Sequence, residues 1–341
     1  KQRALAHDLT IAWVSTHPGS RTGYGTQTEA VVSRLRQLNY NVTCIVGGGK
    51  MDWSPASYHI ADLSPELPDR QTIKIPLLYS LGEPAGYNQW AEYSAHYGFD
   101  LMISLWDYFM VEKYMGYAEE VNTIHHIPVD APFTLKMFKA TRHANILLAM
   151  SKYGYNQLLQ WFAPYRVGYI PHGIDIVQYH PYAAERRQDI RKRLGLATDA
   201  VMFLCVAANA GIRKRLPVLL RIFSAIVKQG YRHAYLYLFT NHDVPYYVGY
   251  DLATLIEQYG LQENVFWPEQ DIFKHPWTVT EMVNLYNAAD CYISTSQGEG
   301  FGLGCLEAMA CGVPVLAPDN STMPELTNNG ENGWLVKNVP N

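Results

Sequence analysis

Glu299 and Glu307 stand eight positions apart in the stretch EGFGLGCLEAMACGVPV (299–315), one in a glycine-rich loop and the other inside an apolar run. Gly300, Gly302 and Gly304 keep the backbone free of Cβ atoms where a ligand approaches closely. The run from Leu303 to Cys311 reads as a buried helix, and the bare amides at its start favour a phosphate. The expected chemistry is binding of a phosphorylated ligand, with one carboxylate in the loop and a second a turn or more into the helix.

A cationic cluster, Arg213-Lys214-Arg215, lies between the apolar segments VMFLCVAA and LPVLLRIF. Fixed cations aimed at a phosphate act most strongly where water is excluded. Solvated charges at a loop end are the alternative reading for Arg213 and Arg215.

The 299–315 stretch resembles the E-x7-E motif of retaining glycosyltransferases with the two-domain GT-B fold, most closely the GT4 family. The resemblance continues through VPVLAPDNSTMPEL to NGENGWLV, about forty residues in the family's order and spacing. It implies an α/β chain of two Rossmann-like, doubly wound parallel-sheet domains facing a central cleft. The implied activity is transfer of a hexose from a nucleoside-diphosphate sugar, UDP- or GDP-linked, to a hydroxyl with retention of anomeric configuration. By the same resemblance Glu299 meets the donor sugar's hydroxyls or its positive ring, Glu307 holds the ribose hydroxyls, and Phe301, Gly302 and Leu303 line the donor. Lys214 matches the family's diphosphate-binding Lys. The usual Arg falls where this chain has Asn209, so Arg213 is the expected replacement.

As the anomeric C–O bond breaks, negative charge grows on the β-phosphate and positive charge on the sugar ring. Lys214, Arg213 and the amides at Gly302 would stabilise the first, and Glu299 the second. No Asp-x-Asp triplet and no His/Cys/Asp cluster with metal spacing occurs, so metal-free, cofactor-free chemistry is the expectation.

The elements that must place these residues are legible in the periodicity. Apolar runs alternate with amphipathic stretches, the pattern of βα units on a parallel sheet. LTIAWVS (9–15) reads as a strand, THPGSRTGYG as a loop, TQTEAVVSRLRQLN as a helix and NVTCIVG as the next strand. IPLLYS, DLMISLW, TIHHIP and ILLAMS follow as strands. The loop holding Gly23 and Gly25 resembles the family's glycine-rich loop near diphosphate and acceptor, although any tight strand-to-helix turn uses such residues. The family also places a polar residue where donor sugar meets acceptor, and TIHHIPVDAPF offers His125, His126 and Asp130. The two histidines should point to opposite faces of a strand, which favours His126, nearer the strand's end, with Asp130 as rival. Histidines satisfied within the sheet are the alternative.

The segment GYIPHGIDIVQYHPY (168–182), punctuated by Pro171, Gly173 and Pro181, resembles the family's interdomain signature. The expected division is a first, acceptor-binding domain over 1–172, a linker over 173–198 and a nucleotide-sugar domain over 199–341. In the last, VMFLCVAA, AYLYLFT, NVFWP and CYISTS read as strands, with helices near 217–229, 249–259 and 280–289.

With 341 residues the chain exceeds what one core usually supports. A formal charge of −4 leaves no basic excess for nucleic acid. Five cysteines without CxxC pairing read as reduced thiols, hence a cytoplasmic location. The 25 Tyr and 8 Trp could stack on sugars, but core packing is the stronger expectation. TLKMFKATRHAN (134–145) mixes basic and apolar residues, so peripheral membrane contact is the most this sequence suggests. Lys1 in place of Met, and an end at Asn341 soon after GWLV, lead us to expect further residues at both ends.

The expected partners are a nucleotide sugar and a glycan, lipid-linked or small-molecule acceptor. Rival readings are a nucleotide-sugar epimerase, a disaccharide synthase or phosphorylase of the same fold, and a non-catalytic scaffold that binds nucleotide-sugar.

Overall fold

The computed structural model describes residues 8–20, 22–46, 59–63, 73–79, 89–116, 120–242, 249–272 and 274–337. Contacts divide the chain into two compact units, Lys1–His172 and Gly173–Asn341.

The first unit opens with β1 (Thr10–Ser15), α1 (Gly23–Gln37), β2 (Asn41–Val46), β3 (His59–Leu63) and β4 (Ile73–Tyr79). It continues with α2 (Trp90–Tyr97), β5 (Leu101–Leu105), α3 (Tyr108–Met115) and β6 (Asn122–Ile127). It closes with α4 (Leu135–Thr141), β7 (Ile146–Ala149), α5 (Lys152–Leu159) and β8 (Val167–Tyr169). The strands form one sheet in the order β3-β4-β2-β1-β5-β6-β7-β8. Only β3 runs antiparallel to its neighbour among these pairings. The central strands β1 and β2 are buried along nearly their whole length because helices cover both faces of a parallel sheet.

The second unit contains α6 (Ala184–Arg193), β9 (Val201–Val206), α7 (Leu216–Lys228), β10 (Ala234–Phe239) and α8 (Leu252–Tyr259). It then adds β11 (Val265–Phe266), α9 (Val279–Ala288), β12 (Cys291–Ile293) and α10 (Leu303–Ala310). β13 (Val315–Pro318), α11 (Met323–Leu326) and β14 (Gly333–Val336) complete it. The sheet order β11-β10-β9-β12-β13-β14 is that of a doubly wound fold, all pairs parallel. Leu219, Leu220 and Phe223 of α7 bury one side against Leu236 and Leu238, and Tyr286, Cys305 and Ala308 fill the other side.

Several expectations need correction. The first helix starts at Gly23, not near Thr26, because Thr22 caps it by accepting from the Gly25 amide at 3.1 Å. Gly23 and Gly25 thus belong to a helical turn, not to an open loop. A Cβ at Gly25 would stand 2.1 Å from the Ser20 carbonyl oxygen, so the turn packs too closely for any side chain there. Strands β3 and β8 went unread because HIADL keeps no apolar alternation and the other has three residues.

Residues 184–193, where AAERRQDIRKRLG reads as a charged helix within the linker, form α6, which binds the body of the second unit. The Asp290 carboxylate accepts from Arg187 at 2.5 Å and from Arg191 at 2.9 Å. The same Asp290 accepts from the Met202 amide at 2.7 Å, so one carboxylate joins α6 to the start of β9. The aromatic residues are mostly packing, as Trp90, Tyr93, Tyr114 and Tyr286 are among the largest fully buried side chains. The described cysteines are all unbridged.

Candidate functional site

In the second unit the strand order reverses between β9 and β12, which pair side by side. Ligands of such sheets bind beyond the carboxyl ends of the strands at this switch point. The loop after β9 carries Arg213 and Lys214, and the loop after β12 carries Glu299. Lys214 Nζ donates to Glu299 Oε1 at 2.5 Å, and Arg213 Nη1 donates to Glu299 Oε2 at 3.2 Å and to the Gly298 carbonyl at 2.6 Å.

Backbone contacts hold the two loops together. Gln297 N donates to the Arg213 carbonyl at 2.8 Å. The Thr295 hydroxyl reaches the carbonyls of Lys214 at 3.0 Å and Arg215 at 3.3 Å. Arg215, in the left-handed region at φ 52°, turns the chain sharply into α7. Burial alone would push the Glu299 carboxyl up. Lys214 and Arg213 outweigh it and hold the group below its ordinary value, so it is ionised at neutral pH.

Gly302 starts α10 at φ 95° and supplies no side-chain cap. A Cβ there would lie 2.5 Å from Met323 Cε and would need a left-handed backbone, so glycine is required twice over. The helix start beside Phe301 and Leu303 is therefore a set of uncapped amides one residue past the ion-paired loop. Four residues into α10, the half-buried Glu307 accepts from the Tyr286 hydroxyl at 2.6 Å. Its carboxyl is pushed up to about 7 by burial, against which the Tyr286 and Tyr179 hydroxyls pull.

Asn209, at the position where a family Arg is usual, is a structural clip. It is 3% exposed, its Nδ2 donates to the Tyr250 carbonyl at 2.8 Å, and its Oδ1 accepts from the Tyr250 amide at 2.9 Å. Arg213, later in the same loop, joins Lys214 on the Glu299 carboxylate.

In the first unit, β6 sends its two histidines to different partners. His125 is 0% exposed, with Nδ1 2.6 Å from Ser104 Oγ and Nε2 3.3 Å from Met115 Sδ. This corrects its candidacy for sugar contact, because it is sealed inside. His126 is 9% exposed, its Nε2 donates to the Ile170 carbonyl at 2.9 Å, and its ring meets His172 edge-on at 4.9 Å. Burial pushes His126 down to about 4, against the pull of that carbonyl, so it is neutral at pH 7. Asp130 lies in the loop after β6, half-buried, near enough to Tyr153 to help raise that phenol after burial has done so.

Further polar groups gather at strand ends. At the switch point of the first sheet, between β1 and β5, the Tyr24 hydroxyl donates to Asp107 at 3.1 Å and the Tyr24 ring meets Trp106 edge-on. After β10, Thr240 Oγ1, Asn241 Oδ1 and His242 Nδ1 are buried without hydrogen-bond partners among the described residues, and His242 stacks on Trp267 at 4.8 Å. No linear spacing signals the first grouping, whose members follow β1 and β5, whereas Thr240, Asn241 and His242 are consecutive after β10. Among the described residues no group of three or more His, Cys, Asp or Glu could hold a metal ion, and no helix is long and apolar enough to cross a membrane.

Residues 186–341 match the family model described as glycosyl transferases group 1. Curated relatives include D-inositol 3-phosphate glycosyltransferase of Actinosynnema mirum, 30% identical over 197 residues, which are 57% of this chain and 45% of that protein. The serotype-specific mannosyltransferase WbdA of Escherichia coli is 28% identical over 45% of this chain and 17% of its own length. The matched segment spans less than half the length of these relatives. Among solved structures, sucrose-phosphate synthase from Thermosynechococcus elongatus superposes with TM-score 0.72 at 19% identity over 96% of this chain and 86% of that one. Anabaena HepE in complex with UDP-glucose gives TM-score 0.69 at 16% identity over 96% and 85%. The fold of the chain is GT-B.

Proposed function

We infer that this chain is a retaining glycosyltransferase that moves a hexose from a nucleoside-diphosphate sugar to a hydroxyl acceptor without a metal ion. The observation that carries this reading is the convergence of Lys214, Arg213 and Glu299 at the switch point, next to the uncapped start of α10. Solved structures of the same fold in complex with UDP and UDP-glucose support a nucleotide-sugar donor.

The diphosphate sits against the amides of Gly302 and Leu303, with Lys214 and Arg213 facing the β-phosphate. An ammonium has three donors, so Lys214 keeps Glu299 while it binds a phosphate oxygen. The C1–O bond to the β-phosphate breaks and the acceptor oxygen attacks from the same face. Its proton passes to a β-phosphate oxygen, which leaves no task for a strong protein base. Glu299, held ionised, faces the growing positive charge on the ring or the sugar's hydroxyls. Glu307, fixed by Tyr286, still has lone pairs for a ribose diol.

The test is a panel of UDP-, GDP-, ADP- and TDP-sugars, with and without EDTA, read by nucleotide release and thermal shift. Turnover of one donor that survives EDTA and vanishes in Lys214→Ala, with the fold intact, supports the reading. Silence across the panel favours a non-catalytic scaffold, a rival kept alive by Asn209 standing where the family's Arg is usual. Product analysis with the active donor separates transfer from epimerisation or phosphorolysis.

A further inference from the structure

The segment after β13, DNSTMPEL, touches the Glu299 loop at four points. The Glu299 amide donates to Ser321 Oγ at 2.9 Å, and the Thr322 hydroxyl donates to the Glu299 carbonyl at 2.6 Å and reaches the Gly300 carbonyl at 3.2 Å. Ser321 Oγ in turn donates to Asn320 Oδ1 at 3.2 Å, and Asn320 Nδ2 donates to the Ser296 carbonyl at 3.2 Å. Two consecutive hydroxyls therefore grip both polar groups of the Glu299 backbone, one as acceptor and one as donor. The side chain is held by Lys214 and Arg213, with the Ser296 hydroxyl as a further partner.

Ser321 makes this grip from an unfavourable conformation. Its φ is 43°, one of three positive values outside glycine among the described residues. A left-handed serine costs energy that a glycine at the same place would avoid. The hydroxyl is what glycine cannot supply, and in this structure that hydroxyl lies on the Glu299 amide. It also occupies that amide, which the Glu299 loop therefore does not offer to a phosphate.

We propose that Ser321 is a positioning residue for the Glu299 carboxylate, its hydroxyl fixing the Glu299 backbone so that the carboxylate stays in register with Lys214. The inference rests on the transferase reading above. A carboxylate that drifts by about an ångström from its productive place can cost up to ~100-fold in rate.

The experiment compares Ser321→Gly and Ser321→Ala with the unaltered protein, using the donor that the panel identifies. Glycine removes both the strain and the hydroxyl, while alanine keeps the strain and removes only the hydroxyl. The expected result is a fall in kcat of about tenfold or more in both variants. Donor KM and the Kd for the free nucleoside diphosphate should stay within about threefold, as Lys214 and the helix amides are untouched. Tm should be higher for Ser321→Gly than for Ser321→Ala. A kcat that follows Tm, with Ser321→Gly as active as the unaltered protein, overturns the inference and leaves the transferase reading standing. An unaltered protein inactive on every donor overturns both.

Discussion

Lys214 Nζ lies 2.5 Å from Glu299 Oε1, although the two residues are 85 positions apart and leave different strands. Their loops meet because β9 and β12 are neighbours at the point where the sheet reverses its winding. Both side chains are mostly buried, at 18% and 15% exposure, so the pair is well screened from water. Removing one partner should hurt more than removing both. Lys214→Met is expected to cost about 2 kcal/mol, below the usual loss for a broken buried pair because Arg213 still faces the carboxylate. Adding Glu299→Gln should recover about 1 kcal/mol of that loss. Urea unfolding of the two single variants and the double variant measures the coupling, and strict additivity would contradict it.

Glu299 also sets an acid limit. Its folded pKa lies below the unfolded value of 4.5, so its stabilisation is present above about pH 4.5 and fades as pH falls through the lower folded value. The unaltered protein should therefore melt above Glu299→Gln at pH 7, and the gap should be smaller at pH 3. Thermal melts at the two pH values decide this.

Glu307 has the opposite sign. Its folded pKa is raised to about 7 from 4.5, chiefly by burial, so the native state holds a proton that the unfolded chain has already lost. Stability then declines as pH rises between those values. Glu307→Gln should gain on the unaltered protein by about 2.5 kcal/mol on going from pH 5 to pH 8, while losing nucleotide affinity through the altered ribose contact. Denaturant curves at both pH values, with nucleotide titrations beside them, read each part.

His126 should stay neutral well below its ordinary range, since burial lowers it to about 4. An NMR titration of its ring protons is expected to show no midpoint between pH 5 and 8. A midpoint near 6.5 would mean that the ring is exposed to water. Because the folded value is depressed, the stabilisation held above about pH 6.5 is lost as pH falls toward 4.

Asp290→Asn tests whether α6 belongs to the second unit's core. The change leaves Arg191, whose side chain is 9% exposed, without its ionic partner and weakens the tie to Arg187. A loss of about 3 kcal/mol is expected in urea unfolding. A change under about 0.5 kcal/mol would place α6 among dispensable surface elements.

The amino-acid sequence by itself determined the local pieces. Alternating apolar runs marked most strands of both sheets, and the glycines of EGFGLG marked a helix start without a capping side chain, because each depends on residues within a turn or two. A helix or strand announces its buried face through its period, so β9, α7 and α10 were legible in place. Strand order was not, since periodicity says which residues are buried and nothing about which strand lies beside which. Only the tertiary structure put Lys214 on Glu299, Asp290 under Arg187 and Arg191, Tyr286 on Glu307 and Ser321 on the Glu299 amide. It also decided the fate of the two histidines. A strand buried on both faces gives alternating side chains no exposed side, so His125 and His126 each found a partner in the interior, Ser104 and the Ile170 carbonyl. Asn209 illustrates the same limit: its neighbour Tyr250 is 41 residues away, and that distance is crossed by the pairing of β9 with β10, which no local pattern encodes.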